Sequence, residues 1–184
     1  MIGFNTELKE ANVQQNLNNL YVKSPRYRMG ESDTLVIFSD LHLGDGGKQD
    51  DFLWNSGLFT HVIEHYYQEY GYTLFLNGDI EELQRFRMEK IRERWGHIYR
   101  TFTELNEEGR LIKLVGNHDL KLKVLEEDWT PLYDSMRVEH PEGTIFVFHG
   151  HQASMFFYKY NNISGFFLKY FAQPLRIRNY TVAH

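Results

Sequence analysis

The sequence predicts an α/β fold built on a mainly parallel sheet, and three observations lead there. Four short apolar runs, 34–38, 73–76, 111–115 and 144–148, are continuous rather than alternating, as in strands buried on both faces. Amphipathic helical patterns lie between the first three of them. Each run also ends on polar residues able to hold a metal or move a proton, which in open α/β sheets is the edge where ligands bind.

The elements come in chain order. Residues 4–20 suit a short helix, followed by a polar linker from Lys23-Ser24-Pro25 to Gly30-Glu31-Ser32-Asp33, so that 1–33 reads as helix and linker and 34–184 as the main domain. Thr34-Leu35-Val36-Ile37-Phe38 is rich in β-branched residues and reads as the first strand. Leu53, Leu58, Val62, Ile63, Tyr66 and Tyr70 recur at helical spacing and predict an amphipathic helix over 51–69. Thr73-Leu74-Phe75-Leu76 is the second strand. Ile91, Trp95, Ile98, Phe102 and Leu105 mark a helix ending near Gly109. The third strand runs from Leu111 to Val115, and Thr144-Ile145-Phe146-Val147-Phe148 is the fourth.

Composition narrows the chemistry. The 184 residues suit one domain, and with 42% apolar and 16% aromatic residues the chain is globular. A net charge of −5 argues against general nucleic-acid binding. There is no cysteine, so any metal would be held by His, Asp, Glu or Asn. The start of the chain lacks signal-peptide character and no apolar run approaches the ~20 residues of a membrane span, so a cytoplasmic location is expected.

The strand endings carry the functional signal. They read Ser39-Asp40-Leu41-His42, Asn77-Gly78-Asp79-Ile80-Glu81-Glu82, Gly116-Asn117-His118-Asp119 and His149-Gly150-His151. Polar residues commonly turn a chain at one strand end. Four such endings with this composition point to a shared site.

In combination, Asp40-Leu41-His42, Gly78-Asp79-Ile80-Glu81-Glu82, Gly116-Asn117-His118-Asp119 and His149 resemble the calcineurin-like metallophosphoesterases, whose pattern is D-x-H, GDxx(D/E), GNH(D/E), an isolated His and a final GHxH. Ser39-Asp40-Leu41-His42-Leu43-Gly44 and the His-Gly-His turn look most like the branch containing UDP-diacylglucosamine pyrophosphohydrolases. The resemblance covers about residues 34–150 and implies a layered α/β sandwich with two divalent metal ions, manganese first and iron or zinc as alternatives. It implies Asp40 and His42 on one ion, Asn117 and His149 on the other, and Asp79 bridging both. It makes His118 the group that stabilises or protonates phosphoryl or leaving oxygens, and Glu82 the carboxylate that orients it. Asp119 is either a supporting partner or the N-cap of the next helix.

The activity so implied is hydrolysis of a phosphodiester or pyrophosphate by metal-bound hydroxide, since two cations neutralise the anion and lower the pKa of bound water toward ~7. A nucleotide-linked or acylated sugar phosphate is the leading substrate. A cyclic-nucleotide or nucleic-acid phosphodiesterase is the alternative, and a non-catalytic scaffold of the same fold is the rival from another class. The final GHxH is absent, so the sequence is expected to be the N-terminal part of a longer protein, with a second half-sheet missing and little or no activity alone. His151 is expected beside the site as a substrate-binding residue, although it or His184 would complete the ligand set if the domain is whole.

Other signals are weaker than this one. His61-Val62-Ile63-Glu64-His65 fits an inverted zinc-protease pattern, but Val62 and Ile63 are needed by the helix's core face. Arg85, Arg87, Lys90, Arg92, Arg94 and Arg100 form a cationic run balanced by Glu81, Glu82, Glu89 and Glu93, a solvated face from which Arg85 and Arg87 are the candidates to touch substrate. Asp45, Asp50 and Asp51 suit a loop and helix start. Between 155 and 171 stand Phe156, Phe157, Tyr158, Tyr160, Phe166, Phe167, Tyr170 and Phe171. They form either core helices or a lid for acyl chains that touches a membrane surface, which would make the protein peripheral.

Overall fold

The computed structural model describes residues 3–125 and 131–153, with side chains from residue 11 onward. Among the described residues seven strands form two sheets. Strands β2 (Leu35–Phe38), β3 (Thr73–Asn77), β4 (Leu111–Leu114) and β5 (Leu132–Tyr133) make a four-stranded sheet in that order, all parallel. In the second sheet, β1 (Arg26–Arg28) pairs parallel with β6 (Ser135–His140), which pairs antiparallel with β7 (Gly143–Phe148).

Alternation along β3 and β4 explains their unbroken apolar sequences. Leu74, Leu76 and Leu111 face one cluster with Ile91, Trp95, Ile98, Phe102 and Leu105 of helix α3 (Met88–Glu107). Phe75, Ile112 and Leu114 face the opposite way and share a second cluster with Met136, Val138 and Val147 of β6 and β7. Buried apolar surface is worth ~25 cal/mol per Å², so a strand with two covered faces gains from both. Gly109 closes α3 with φ +71°, a conformation in which a Cβ is unfavourable.

The structure differs from the sequence reading at three places. Run 144–148 is not in the parallel sheet: it is β7, turned back on β6 through Pro141–Glu142. Its isolated apolar run gave no sign of orientation, because β6, Ser-Met-Arg-Val-Glu-His, alternates and is less apolar. The polar linker carries β1, whose Arg26 and Arg28 lie toward solvent and pair with Glu139, while Tyr27 packs on Phe75. Residues 51–69 are not one regular helix. They form a 3-10 turn (Asp51–Trp54), helix α2 (Ser56–Val62) and a π-type turn (Ile63–Tyr67). Each change of winding rotates the residues beyond it about the helix axis, so Phe52, Phe59 and Ile63 are buried while Leu58, Tyr66 and Tyr70 are exposed.

Helix α1 (Gly3–Lys23) covers the expected 4–20 and three further residues at its end. It finishes against the second sheet, where Tyr21 meets Phe146 edge-on at 5.2 Å. No helix among the described residues is long and apolar enough to cross a membrane. The aromatic segment 155–171 and His184 lie outside the described residues.

Candidate metal centre

Parallel β2, β3 and β4 end at the same edge, which brings the loops after them together. The Asp40 and His42 amides donate to Gly78 O (3.1 Å) and Asp79 O (3.0 Å), and Leu43 continues the pairing to Ile80 O at 2.8 Å. Between the second and third loops the approach is backbone to backbone. A Cβ on Gly116 would sit 2.1 Å from Asp79 Oδ1, and one on Gly78 would sit 2.7 Å from Gly116 N. The glycines in both loops are therefore steric requirements.

Three non-glycine residues, Asp40, His42 and Asp79, hold positive φ of 57°, 53° and 53°. Such backbone is sparsely populated and costs on the order of 1 kcal/mol or more per residue, so surrounding contacts must impose it. Here those contacts are the interloop hydrogen bonds. All three strained residues point their side chains into one cluster.

Among the described residues, two groups of ligand side chains each fall within 4.8 Å of one another: His42, Asp79 and His118, and Asp40, Asp79 and His149. Asp79 belongs to both. Its Oδ2 is 3.2 Å from His149 Nε2 and 3.9 Å from His118 Nε2, and its Oδ1 accepts the His118 amide at 2.8 Å. His149 Nδ1 donates to Asn77 O at 2.8 Å, which turns Nε2 inward. His42 and His118 stack edge-on at 4.8 Å. Ser39 Oγ donates to Asp40 and to Asn77 O (3.1 Å), steadying the more exposed carboxylate.

Behind this cluster lies Glu82. Its Oε2 accepts from His118 Nδ1 at 2.8 Å and from Arg85 Nη2 at 3.2 Å, and lies 3.4 Å from His42 Nδ1. Burial would raise the Glu82 carboxyl, but the His118 hydrogen bond, the nearby His42 ring and the Arg85 charge hold it well below the usual range. Burial likewise works against protonation of His118, and Glu82 overrides it, so the imidazole is raised. Asp79 is lowered despite burial, through His149 and His118. His149 is pushed up to about 9: burial opposes the charge, but the Asp79 carboxylate outweighs it. His151 goes the other way, to about 4, through burial and the neighbouring His149 charge; the two rings are 5.7 Å apart.

The structure thus brings Asp40, His42, Asp79, His118, His149 and Glu82 together, with His151 beside them. Asn117 stands in the same loop as His118, and its carbonyl accepts from Gln84 Nε2 at 3.1 Å. Arg85 lies against Glu82 and Asp51; Arg87 is exposed and lines a neighbouring pocket. His61 and His65 are 4.9 Å apart, but no group of three ligands forms around them among the described residues. Asp50 is a loop organiser: its carboxylate accepts from Phe52 N (3.0 Å), Gly46 N (2.7 Å) and Trp95 Nε1 (3.3 Å).

Asp119 is fully buried and acts as a clamp between loops. Its oxygens accept from Gly116 N (2.6 Å) and Ile80 N (2.9 Å), and it makes no cap hydrogen bond to the turn after it. Burial and the Glu81 charge push it up to about 7, with Lys113 opposing. Glu81 and Lys113 themselves form an ion pair at 0% exposure, to which Tyr99 Oη adds a 2.8 Å hydrogen bond. Motif reasoning misses this support, although a single lysine inside the buried run Leu-Ile-Lys-Leu-Val is itself a demand for an acidic partner.

The residues fit divalent cations. Three carboxylates, Asp40, Asp79 and Glu82, converge with three imidazoles, a hard-to-borderline O/N donor set without thiolate. Among the described residues Glu82 Oε1 and His42 Nδ1 are buried without hydrogen-bond partners, the state of polar groups poised for a further contact. The chain matches no family model, and no curated protein and no solved structure is significantly similar to it.

Proposed function

We propose that this protein is a metal-dependent phosphoesterase of the layered calcineurin-like type, cleaving a phosphodiester or pyrophosphate at the strand edge. The observation that carries the reading is Asp79, shared between two ligand groups, as a carboxylate holding two cations in one site must be. The resemblance pairs Asp40 with His42, which are 3.8 Å apart, but the side chains group Asp40 with Asp79 and His149, so Asp40, His149 and Asn117 would hold one cation, His42 the other, and Asp79 both. The bound pair, manganese by preference and iron or zinc otherwise, supplies Lewis acidity and a water of lowered pKa.

The chain's own residues account for the rest. Glu82 keeps the proton on His118 Nδ1, so Nε2 is the atom presented to the cluster. The shift of His118 is upward, through Glu82, which favours the protonated ring that could donate a hydrogen bond to a phosphoryl oxygen and then a proton to the departing oxygen. His118 is on this reading a proton donor, although its position beside His42 and Asp79 would also allow ligation. The two roles differ in outcome. His118→Ala should retain metal while turnover falls ~10²–10⁴-fold. Turnover of bis-p-nitrophenyl phosphate with Mn²⁺, alongside metal analysis of the variant, tests this. An unaltered protein fully loaded with Mn²⁺ that hydrolyses nothing would remove the phosphoesterase reading. A variant depleted of metal would make His118 a ligand.

A further inference from the structure

Beyond Glu82 the molecule opens into a pocket of about 410 Å³ between the loop after β2 and the start of α3. Its wall holds four cations, Lys48, Arg85, Arg87 and Lys90, against one carboxylate, Asp45, and includes the Phe86 ring. Arg85 is committed to Asp51 and Glu82, and Lys90 to Glu93 at 2.6 Å. Lys48 and Arg87 have no ion-pair partner among the described residues, and both are exposed to the pocket mouth. In a chain of net charge −5, that concentration of positive charge is local.

The pocket adjoins the metal centre through one carboxylate. Arg85 Nη2 and His118 Nδ1 approach the same Glu82 oxygen, at 3.2 and 2.8 Å. The loop forming the opposite wall is anchored at its start. Gly44 packs where a Cβ would meet Phe86 Cε2 at 2.7 Å, and its carbonyl accepts from Trp95 Nε1 at 2.9 Å. Trp95 is also where α3 departs from helical geometry (φ −109°, ψ 25°), so the kink and the loop are held by one contact.

We propose that this pocket is an anion subsite that takes a second phosphate of the substrate, with Lys48 and Arg87 as its recognition cations. The inference rests on the phosphoesterase reading and deepens it: the preferred substrates carry at least two phosphates, as a pyrophosphate diester or nucleoside polyphosphate does. A simple diester with a single negative charge would leave the pocket unused. Guanidinium groups suit such a ligand because they meet phosphate oxygens in pairs, and an ammonium adds a compact charge.

Two measurements on the full chain separate the subsite from the chemistry. Binding of inorganic pyrophosphate to metal-free protein is followed by calorimetry for the unaltered chain, for Lys48→Ala/Arg87→Ala, and for Arg100→Ala, an exposed arginine outside the pocket. Loss of two charged contacts should weaken binding about tenfold or more in the double variant and leave Arg100→Ala unchanged. With Mn²⁺, the double variant should raise KM for diadenosine diphosphate while kcat/KM for bis-p-nitrophenyl phosphate stays as it was. Equal pyrophosphate binding by parent and double variant, no binding by the parent, or equal weakening by Arg100→Ala would overturn the subsite. So would an equal loss on both substrates. Failure to hydrolyse either substrate, with pyrophosphate binding behaving as expected, would sink the phosphoesterase reading and leave the subsite standing.

Discussion

Replacing Lys113 with Met tests how the metal edge is supported from within. Lys113 and Glu81 are both at 0% exposure, and Asp119 is buried close enough for its carboxyl to feel both charges. Met keeps the length and apolar stem of the lysine, so packing on β4 is retained and the change is electrical. It leaves two buried carboxylates with no cation and the Tyr99 hydroxyl as the remaining donor to Glu81. Breaking one side of a buried pair costs ~3–5 kcal/mol, roughly a fifth or more of a typical ~5–15 kcal/mol stability. At ~2–4 °C per kcal/mol for a chain of this size, the melting temperature should fall ~6–20 °C. The loss should depend on pH in a definite direction. A carboxyl whose folded pKa is raised binds more protons when folded, so stability falls as pH rises from its unfolded value near 4 to its folded value, which for Asp119 is about 7 before the cation is removed. Urea unfolding by circular dichroism at pH 5 and pH 8 should show Lys113→Met recovering much of its deficit at the lower pH. Glu81→Gln with Lys113→Met should be less harmful than Lys113→Met alone. A single-variant cost below ~1 kcal/mol, or a deficit that is the same at both pH values, would refute the reasoning.

Four more outcomes are expected at the site. Gly116→Ala forces a Cβ to within 2.1 Å of Asp79 Oδ1, so Mn²⁺ affinity should fall at least ~10-fold by calorimetry, with lower thermal stability. Metal must displace the proton that Asp79 holds on His149, whose pKa is about 9. Between pH 6 and 8, Mn²⁺ affinity should rise ~10-fold per pH unit with one proton released, measurable by titration in two buffers of different ionisation enthalpy. In the metal-free chain the same pair stabilises the fold below the ordinary histidine pKa of ~6.5, and that contribution disappears as pH rises through about 9. Asp79→Asn removes the shared carboxylate, so both metal binding and the alkaline loss of stability should vanish together.

The sequence made the chemistry easier to read than the architecture. Strand endings are short, polar and dense with His and Asp; parallel β2, β3 and β4 deliver three of them to one edge, and β7 brings His149 there from the second sheet. That is why Asp40, His42, Asp79, His118, His149 and Glu82 stand out without any knowledge of their neighbours. Features set by partner choice do not show in this way. Strand β1 is three residues long and is defined by pairing with β6, more than a hundred positions later. The phase of 51–69 depends on two changes of winding that local periodicity does not encode. Lys113 and Glu81 are visible as residues, yet their pairing requires knowing that β4 and the Asp79 loop touch. Likewise Lys48 belongs to no motif and gains significance only where its loop meets the start of α3.

The distribution of strain joins these layers. Positive φ at Asp40, His42 and Asp79 is unfavourable for the isolated chain, and a loop free to relax would abandon it. It persists because neither loop can relax alone: Asp40 and His42 donate to the Asp79 loop, and Asp119 clamps Ile80 to Gly116. Glu81, in the middle of that network, is tied down by Lys113 from the strand below. The contacts that force the strain are thus the ones that hold Asp40, Asp79 and His149 within 4.8 Å of each other. Mutual repulsion of the converging carboxylates would oppose this arrangement if nothing positive stood among them, and in the metal-free chain the protonated histidines serve that purpose. Divalent cations would take over that charge from the protons, which makes metal binding and proton release a single event at this edge of the sheet.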